Sequence, residues 1–453
     1  MMRRRHKDDR RIPLTRSAAG KALPGIERPF MFSTLGLSPT ACASLPALGY
    51  TAPTPIQTKA IPLVLSGVDL LARAETGTGK TAAFGLPLID RLRAPGVRDG
   101  RYKPRALVLV PTRELAVQVH QALCSFAKSS RLRVAVVFGG VSMGPQNAAL
   151  RQGTDIIVAT PGRLMDHMQR RTVDLSAIEV LVLDEADRML DMGFLPALRR
   201  IAAALPRRRQ TLLFSATLSE AIVRLSSEFT HDPVRVDVSP QQVVAATVTH
   251  HVHHVGVDRK RDALTHILAE HGADQALVFC RTKRGANRVG EALADHGVRA
   301  GVIHGNKSQG ARTRALTDFK TGRLRVLVAT DIAARGLDIS NLPLVVNFDL
   351  PLVPEDYVHR VGRTGRAGQS GRAVSLVTTS EAALLRQIQQ VVGTPLERVA
   401  ALPADVPPQA RAVERVGIRP HGAPHRPAGS RRPSRGRTNG ANRTHRGKAP
   451  SFR

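Results

Sequence analysis

The chain has 453 residues, 42% of which are hydrophobic, and a formal net charge of +31. This length predicts two or three domains with sizeable cores, and the charge favours polyanionic partners, either nucleic acid or an anionic membrane surface. No apolar run approaches the roughly 18 residues of a membrane span, and no apolar segment follows the basic N-terminus, so we expect neither a membrane protein nor a secreted one. The three cysteines lie far apart without a CxxC pair, which argues against disulfide and zinc frameworks and suits a cytoplasmic protein.

Residues 1–28 are polar, basic and rich in helix breakers, so we expect them to form a flexible arm. Short apolar segments, often β-branched, then recur between helical stretches up to residue 232. Strands that helices cover on both faces have this composition, and the region 29–232 is therefore predicted to be a doubly wound parallel α/β domain. Its predicted strands lie at 70–72, 106–110, 134–138, 156–159, 180–183 and 211–214.

A glycine-rich loop joins the first of these strands to a mostly apolar, helix-like segment at 82–92. A strand that ends in such a loop and then opens a helix cradles phosphates with its backbone N–H groups. Lys80 would reach the terminal phosphates, and the Thr81 hydroxyl could ligate Mg²⁺. A glycine-rich turn that binds nothing is the alternative, but the strand-loop-helix context favours a nucleoside triphosphate site. The loop consists of Ala74, Glu75, Thr76, Gly77, Thr78, Gly79, Lys80 and Thr81.

The predicted strand at 180–183 ends in Asp184-Glu185-Ala186-Asp187. A carboxylate at the end of a buried strand, in the same domain as a phosphate loop, is where such enzymes hold Mg²⁺. We therefore expect Asp184 to hold the metal, in part through water, and Glu185 to polarise the attacking water as a general base. An exposed acidic turn is the alternative, which the phosphate loop in the same domain disfavours.

The mixed run at 233–246 is predicted to be a linker, and a second series of alternating elements follows it. This series indicates a second α/β domain over 247–395, without a phosphate loop of its own. A nucleotide in the cleft between the two domains would touch both of them. The predicted strands of the second domain lie at 276–280, 300–303, 326–329, 344–347 and 373–377.

A histidine cluster, His250, His251, His253 and His254, lies near the start of the second domain. On a strand, His251 and His253 would share one face, with His250 and His254 on the other. Metal binding is one interpretation, but no acidic or Cys partner lies nearby in the sequence. We therefore expect a first strand with partly exposed imidazoles.

The segment 396–453 loses apolar periodicity, and residues 411–453 carry eleven Arg and one Lys against a single acid, Glu414. A segment of this composition cannot bury enough apolar surface to fold alone, so we expect a disordered tail. Its charge favours an electrostatic arm for RNA over a solvated tail without a dedicated role.

Asp184-Glu185-Ala186-Asp187 spells the name of the DEAD-box RNA helicases, and other stretches resemble that family in the same order. The resemblance covers residues 30–395 and implies two tandem RecA-like domains, ATP and Mg²⁺ as cofactors, and RNA as the partner. The run 305–312 resembles the bacterial RhlE-type branch. The further matching stretches are 49–57 with Phe32 upstream, 111–116, 139–140, 160–163, 215–217, 278–282, 309–312, 330–338 and 359–366.

Two residues before the phosphate loop could select adenine. The Gln57 amide could pair with the N6 and N7 edge of the base, and the Phe32 ring could stack on it. A core position for Phe32 is an equal alternative on the sequence alone, and the resemblance favours the adenine contact.

The second domain is expected to complete the nucleotide site. Arg363 and Arg366 would act as arginine fingers on the γ-phosphate, so hydrolysis would require closure of the two domains. The resemblance also implies that Asp338 contacts the ribose. It further implies that His359 bridges to Ser215 and Thr217, which couple the ATP state to RNA binding.

RNA contacts are expected mostly at phosphate and sugar, because aromatic residues make up 3% of the chain and Trp is absent from the sequence. Backbone N–H groups and arginines would hold one strand with low sequence specificity. By resemblance, the RNA-binding residues are Pro111, Thr112, Arg113, Gly140, Thr160, Pro161, Arg163, Thr282, Gln309, Arg312, Thr330 and Arg335.

The resemblance implies an RNA-stimulated ATPase that unwinds short RNA duplexes, or remodels RNA–protein complexes, by closing its domains on single-stranded RNA. An ATP-gated RNA clamp or scaffold with little processive unwinding is the alternative, and slow turnover would distinguish it. A translocating DNA helicase is disfavoured by Gln57 and the RNA-type motifs. Ribosomal precursors and RNA-decay machinery both suit the family as partners, and a monomer is expected over a dimer.

Overall fold

The computed structural model describes residues 31–75, 77–93, 103–238, 248–334, 336–337, 339, 341–365, 370–393 and 396–398. Within these residues lie two seven-stranded sheets in which every strand pairing is parallel. The predicted arm at 1–28, most of the predicted linker and nearly all of the predicted tail lie outside the described residues. Among the described helices, none combines the length and the apolar character that crossing a bilayer requires.

The first sheet consists of β1 (Leu70–Arg73), β2 (Ala106–Leu109), β3 (Val134–Val137), β4 (Ile156–Ala159), β5 (Val180–Leu183), β6 (Gln210–Ser215) and β7 (Val234–Asp237). Across the sheet they lie in the order β3-β4-β2-β5-β6-β1-β7. The strands β2, β3 and β4 form one half of the sheet, and β5, β6, β1 and β7 form the other, which is a doubly wound arrangement.

Helices cover both faces of this sheet because alternate strand residues point to opposite sides. In β2, Ala106 and Val108 join one core cluster, whereas Leu107 and Leu109 join the cluster on the other face. The helices are α1 (Pro39–Ser44), α2 (Pro55–Ser66), α3 (Lys80–Leu92), α4 (Arg113–Ala127), α5 (Met143–Arg151), α6 (Pro161–Gln169), α7 (Ala186–Asp191), α8 (Leu195–Ala203) and α9 (Glu220–Phe229), with short 3-10 helices at Phe32–Leu35 and Pro46–Leu48.

The second sheet consists of β8 (Val248–His254), β9 (Ala276–Phe279), β10 (Ala300–Ile303), β11 (Val326–Ala329), β12 (Leu344–Asn347), β13 (Gly371–Val377) and β14 (Glu397–Arg398). Its order, β10-β11-β9-β12-β13-β8-β14, repeats that of the first sheet strand for strand. Its helices are α10 (Lys260–Glu270), α11 (Lys283–Asp295), α12 (Gln309–Lys320), α13 (Asp331–Ala334), α14 (Pro354–Val361) and α15 (Ala382–Val392), with a 3-10 helix at Thr379–Glu381.

The predicted fold class is confirmed, and the predicted strands agree with the observed ones to within two residues at each end. Two edge strands were not predicted. β7 pairs with β1, so the first sheet continues past residue 233, where the linker was expected to begin. β14 pairs with β8 beyond the expected end of the second domain at residue 395. Both strands are mostly exposed, and an exposed edge strand lacks the continuous apolar run that indicates a buried one.

The histidine cluster lies on β8, the predicted first strand of the second domain. The expectation of partly exposed imidazoles is wrong for two of its residues. His250 and His253 are 8% and 3% exposed, because β13 and β14 flank β8 within the sheet and α14 packs beside it. His250 shares a hydrogen bond of 3.0 Å with the Tyr357 hydroxyl.

Candidate functional site

The loop between β1 and α3 has the backbone of a phosphate cradle. Gly77 and Gly79 have φ angles of 88° and 94°, a conformation that favours glycine. At the start of the loop, the Ala74 N–H donates to the Ser215 carbonyl at 3.0 Å. Lys80 opens α3, is buried, and donates to the Ala74 carbonyl at 3.1 Å. Because a carbonyl partner leaves the ammonium its charge, the loop places a cation beside a helix N-terminus. Of the predicted loop residues, Thr76 lies outside the described part of the chain.

Gln57 supports this loop from α2. Its amide donates to the Gly79 carbonyl at 3.1 Å, and its side-chain oxygen accepts from the Thr54 N–H at 3.0 Å. The Thr54 hydroxyl donates in turn to the Thr78 carbonyl at 2.8 Å. A Cβ added at Gly79 would lie 2.3 Å from the Gln57 amide nitrogen, so glycine is required there for packing as well as for its φ angle. Gln57 is 1% exposed and engaged at both ends, and its contact with adenine stays a prediction.

Phe32 occupies the position that the sequence left open as its alternative. It is 6% exposed and lies edge-on to Tyr50, with the ring centroids 6.2 Å apart. Tyr50 continues the cluster to Phe126 at 5.8 Å. The ring is therefore part of the core in this structure, and its contact with adenine stays a prediction.

The acidic residues after β5 form a buried group of carboxylates. Burial raises the pKa of Asp184 to about 6, against the opposing effect of the nearby Lys80 ammonium. The neighbouring carboxylates of Glu185 and Asp187 also raise it. Glu185 has a φ angle of 54°, which is uncommon for a residue with a side chain and is concentrated at functional sites. A buried carboxylate group of this kind favours a cation.

Asp187 connects this group to the end of β6. Its carboxylate accepts from the Ala216 N–H at 3.1 Å and from the Arg188 N–H at 3.0 Å. The Thr217 N–H donates to the Ser215 hydroxyl at 3.3 Å, and Ser215 is fully buried. The predicted coupling segment therefore contacts both the acidic motif and the phosphate loop.

The second domain places α14 next to the nucleotide residues of the first. His359 lines a small pocket together with Arg188 and Asp356. Arg363 is 6% exposed and donates to the Leu337 carbonyl at 2.7 Å. The predicted roles of His359 and Arg363 remain predictions, and Arg366 and Asp338 lie outside the described residues.

The predicted RNA-binding residues of the first domain lie at the carboxyl ends of β2, β3 and β4, on the half of the sheet away from the phosphate loop. Thr112 caps α4, and Arg163 donates to the Val141 carbonyl at 3.1 Å. Gly140 has a φ angle of 81°, and a Cβ there would lie 1.9 Å from the Arg113 guanidinium, which packs against it. The residues found together on this half are Pro111, Thr112, Arg113, Gly140, Thr160, Pro161 and Arg163.

Three residues predicted to bind RNA contact each other or Glu114 across the two domains, and their RNA contacts stay predictions. Arg113 donates to the Gln309 side chain at 3.4 Å, and Gln309 donates to the Glu114 carboxylate at 2.9 Å. Arg312 forms an ion pair with Glu114 at 2.9 Å, and burial lowers the pKa of its guanidinium. These side chains meet across the interface from the first turns of α4 and α12. The role of Glu114 at this interface was not predicted, because the local sequence gives no indication of a partner almost two hundred residues away.

The remaining predicted RNA residues lie at the ends of second-domain strands. Thr282 is exposed and caps α11 by accepting from the Gly285 N–H at 2.9 Å. Thr330 follows β11 and is 8% exposed. Gly336 packs so tightly on Thr112 that a Cβ would lie 2.3 Å from its hydroxyl oxygen. Arg335 lies outside the described residues.

Another cross-domain pair was also missed by the sequence reasoning. Arg188 and Asp356 form an ion pair at 3.4 Å, with side chains 6% and 15% exposed. Next to Asp356 on α14, Arg360 makes two hydrogen bonds to Asp331 and one to the Asn347 side chain. The one sequence feature that could have indicated a role for Arg188 is its position directly after the acidic motif.

Comparison with known families identifies the chain. The DEAD/DEAH box helicase model matches residues 54–225, and the helicase conserved C-terminal domain model matches residues 259–368. The DEAD-box ATP-dependent RNA helicase CshA of Bacillus subtilis is 42% identical over 370 residues, which are 81% of this chain and 74% of CshA. The chain belongs to the family of DEAD-box ATP-dependent RNA helicases. The ATP-dependent RNA helicase DbpA of the same organism is 41% identical over 82% of this helicase and 76% of DbpA.

Solved structures agree with this assignment. S. cerevisiae Dbp5 bound to RNA and ADP BeF3 has a TM-score of 0.72 and 31% identity, covering 81% of this helicase and 95% of that chain. Mss116p bound to ssRNA and AMP-PNP has a TM-score of 0.74 and 25% identity, covering 83% of this helicase and 81% of that chain. The tandem RecA-like architecture and the ATP-dependent RNA helicase activity expected from the sequence are confirmed.

Proposed function

We propose that this helicase couples ATP hydrolysis to closure of its two domains on single-stranded RNA, and that closure separates short duplexes or remodels RNA–protein complexes. The observation that carries the proposal is that the predicted nucleotide residues and the predicted RNA residues lie on different halves of the carboxyl edge of the first sheet. The predicted nucleotide residues follow β5, β6 and β1, and the predicted RNA residues follow β2, β3 and β4. Nucleotide and RNA would therefore bind at separate halves of one edge.

The second domain contacts both halves. Asp356 meets Arg188 on the nucleotide half, and Arg312 meets Glu114 on the RNA half. Because one domain makes both contacts, closure induced by either ligand prepares the site for the other. ATP and RNA should therefore raise each other's affinity. Dbp5 and Mss116p, whose two-domain structures resemble this one, were each solved with RNA and a nucleotide.

Mg²⁺ suits the donor set at this site. The Thr81 hydroxyl and the Asp184 carboxylate are oxygen donors of the kind that Mg²⁺ prefers. Burial raises the pKa of Asp184 to about 6, and a bound cation would stabilise its ionised form. When bound, the ion would neutralise charge on the phosphates.

The side chains of the chain itself then have distinct tasks. Lys80 holds the terminal phosphates, and Glu185 orients the attacking water and accepts its proton. Arg363, together with Arg366, stabilises the charge that spreads over the transferring phosphoryl oxygens. Since the two arginines belong to the second domain, hydrolysis proceeds in the closed state and release of phosphate permits reopening.

Some finer assignments belong to the same proposal. The run 305–312 supports an RhlE-like branch, and the Arg-rich segment 411–453 supports an electrostatic arm for RNA. The edge strands β7 and β14 suggest domain limits of 29–238 and 247–398 in place of those inferred from sequence. Ribosomal precursors or the RNA-decay machinery are proposed as partners of a monomeric enzyme.

The test is ATP hydrolysis with and without single-stranded RNA, for the wild-type chain and Glu185→Gln. We expect strong stimulation by RNA in the wild type. In Glu185→Gln we expect loss of turnover together with tighter RNA binding in the presence of ATP, because the closed state accumulates. Absence of stimulation in the wild type, or weaker RNA binding by the variant with ATP, would contradict the proposal. Slow turnover with persistent RNA binding in the wild type would identify the clamp alternative.

A further inference from the structure

An open cleft of about 610 Å³ lies in the second domain, at the carboxyl ends of β8, β9 and β12. These strands occupy the places that β1, β2 and β5 occupy in the first sheet, where the phosphate loop and the acidic motif lie. The cleft is therefore the structural counterpart of the nucleotide site. Its lining includes Arg261 of α10, Arg281 just before α11 and Arg288 within α11.

A network of charges adjoins this cleft, and two of its members, Arg281 and Asp349, line the cleft. Lys260 takes the place of Lys80 at the start of its helix, is 4% exposed, and contacts Glu381 at 3.0 Å and Asp349 at 3.5 Å. The Arg281 guanidinium also contacts Glu381, at 2.6 Å, and the backbone N–H of Arg281 donates to the Asp349 carboxylate at 2.9 Å. Two cations thus balance two carboxylates. With its lysine engaged and no glycine-rich loop before α10, the cleft is not suited to a triphosphate.

The walls carry charge that the protein does not balance. Arg261 and Arg288 are exposed, and neither forms an ion pair with any of the residues that the structure describes. Two acids line the cleft: Asp349 belongs to the charge network with Lys260, and Asp258 is exposed, so the two exposed arginines outnumber the one acid outside that network. Two guanidinium groups from different helices, facing one cleft, suit the oxygens of a phosphodiester backbone.

We propose that this cleft binds backbone phosphates of RNA that extends beyond the strand held between the two domains. The inference rests on the proposed function, because Thr282, on the same cleft, is a predicted RNA contact. Through Thr282, the cleft adjoins the predicted RNA contacts of the second domain. Arg261 and Arg288 hold the flanking RNA by charge and contribute no base specificity.

The experiment uses the full-length chain and two oligouridylates, in the presence of a non-hydrolysable ATP analogue. One is the shortest that stimulates ATP hydrolysis, and the other extends well past it. For Arg261→Ala/Arg288→Ala we expect roughly five- to tenfold weaker binding of the long RNA and unchanged binding of the short one. The slope of log affinity against log salt should fall by about 1.4 for the long RNA, which corresponds to two lost phosphate contacts.

The matched control is Arg200→Ala/Arg386→Ala, which removes the same charge from exposed arginines outside the cleft. Equal weakening by the control pair, or equal weakening for both RNAs, would reduce the effect to general electrostatics and overturn the proposal. Unchanged binding of the long RNA would also overturn it, and accompanying loss of polyglutamate binding would assign the cleft to an acidic peptide. RNA-stimulated hydrolysis by the wild type distinguishes these outcomes from failure of the proposed function.

Discussion

The two sheets of this helicase share one strand order, yet they use equivalent lysines in opposite ways. Lys80 and Lys260 each open the helix that follows the first strand of their sheet, and both are buried. Lys80 donates to a backbone carbonyl, whereas Lys260 contacts the carboxylates of Asp349 and Glu381. A carbonyl leaves the cation available to a phosphate, and two carboxylates neutralise it. The same fold thus yields a binding site in one domain and a structural ion network in the other.

The largest expected effect comes from removing Lys80, the lysine at the nucleotide site of the first domain. Lys80→Met should lower RNA-stimulated ATP turnover by a factor of at least about 100, because the phosphates lose a charged partner that the site provides in advance. Thermal stability should change little, since one hydrogen bond to a carbonyl is lost. Steady-state hydrolysis and a thermal melt measure the two effects. Lys59→Met, an exposed lysine on α2, is the control, and similar loss in both variants would refute the assigned role.

Lys260→Met should show the reverse pattern. Its loss leaves the Glu381 and Asp349 side chains, 10% and 24% exposed, without their ammonium partner. Breaking a buried ion network from one side costs about 3–5 kcal/mol of unfolding free energy. Nucleotide binding by the first domain should be preserved. Urea unfolding measures the loss, and Lys260→Met/Glu381→Gln should recover part of it. Unchanged stability would show that the lysine is not structural.

The buried strands were predictable because each sheet is covered on both faces. Strands buried on both faces are continuous apolar runs, and the run 180–183 is one of them. The phosphate loop and the acidic motif were predictable because each is a local pattern whose function depends on adjacent residues. The exposed edge strands β7 and β14 carry no comparable pattern and were missed.

Long-range partnerships were not predictable from the sequence. Arg113 and Gln309 are 196 residues apart and meet across the two domains, and neither residue type names the other as its partner. Gln57 was read as a ligand for adenine, whereas the structure also uses it to hold Gly79, 22 residues along the chain. An arginine or an amide that suits RNA or a base equally suits a carboxylate or a carbonyl. Which one it meets depends on tertiary packing.

A smaller effect concerns pH, since β8 carries buried histidines and its counterpart β1 carries none. Burial lowers the pKa of His250 to about 4, with a further contribution from His251. An unfolded chain takes up the proton near pH 6.5, so stability is lost as the pH falls from about 6.5 towards 4. The loss should reach roughly 2–3 kcal/mol.

His250→Gln should flatten this pH dependence, because an amide can keep a hydrogen bond to the Tyr357 hydroxyl without titrating. Unfolding free energy between pH 7.5 and 5 is the measurement. The exposed His254, replaced by Gln, is the control and should leave the slope unchanged. Equal slopes for wild type and His250→Gln would show that this imidazole is not the titrating group.

The smallest expected effect comes from reversing a charge at the contact between the two domains. Arg188 and Asp356 meet only when α7 and α14 lie together, so their attraction contributes to closure and not to either domain alone. Arg188→Asp or Asp356→Arg places like charges opposite each other, and the RNA concentration for half-maximal ATPase should rise about fivefold. The double swap, Arg188→Asp/Asp356→Arg, should restore it. Reversal of the exposed pair Glu220 and Arg224, which lies within the first domain, should have no effect. If each single variant is impaired and the double swap does not restore the RNA concentration for half-maximal ATPase, the two side chains act through other partners. If the single variants match the wild type, closure does not depend on this pair.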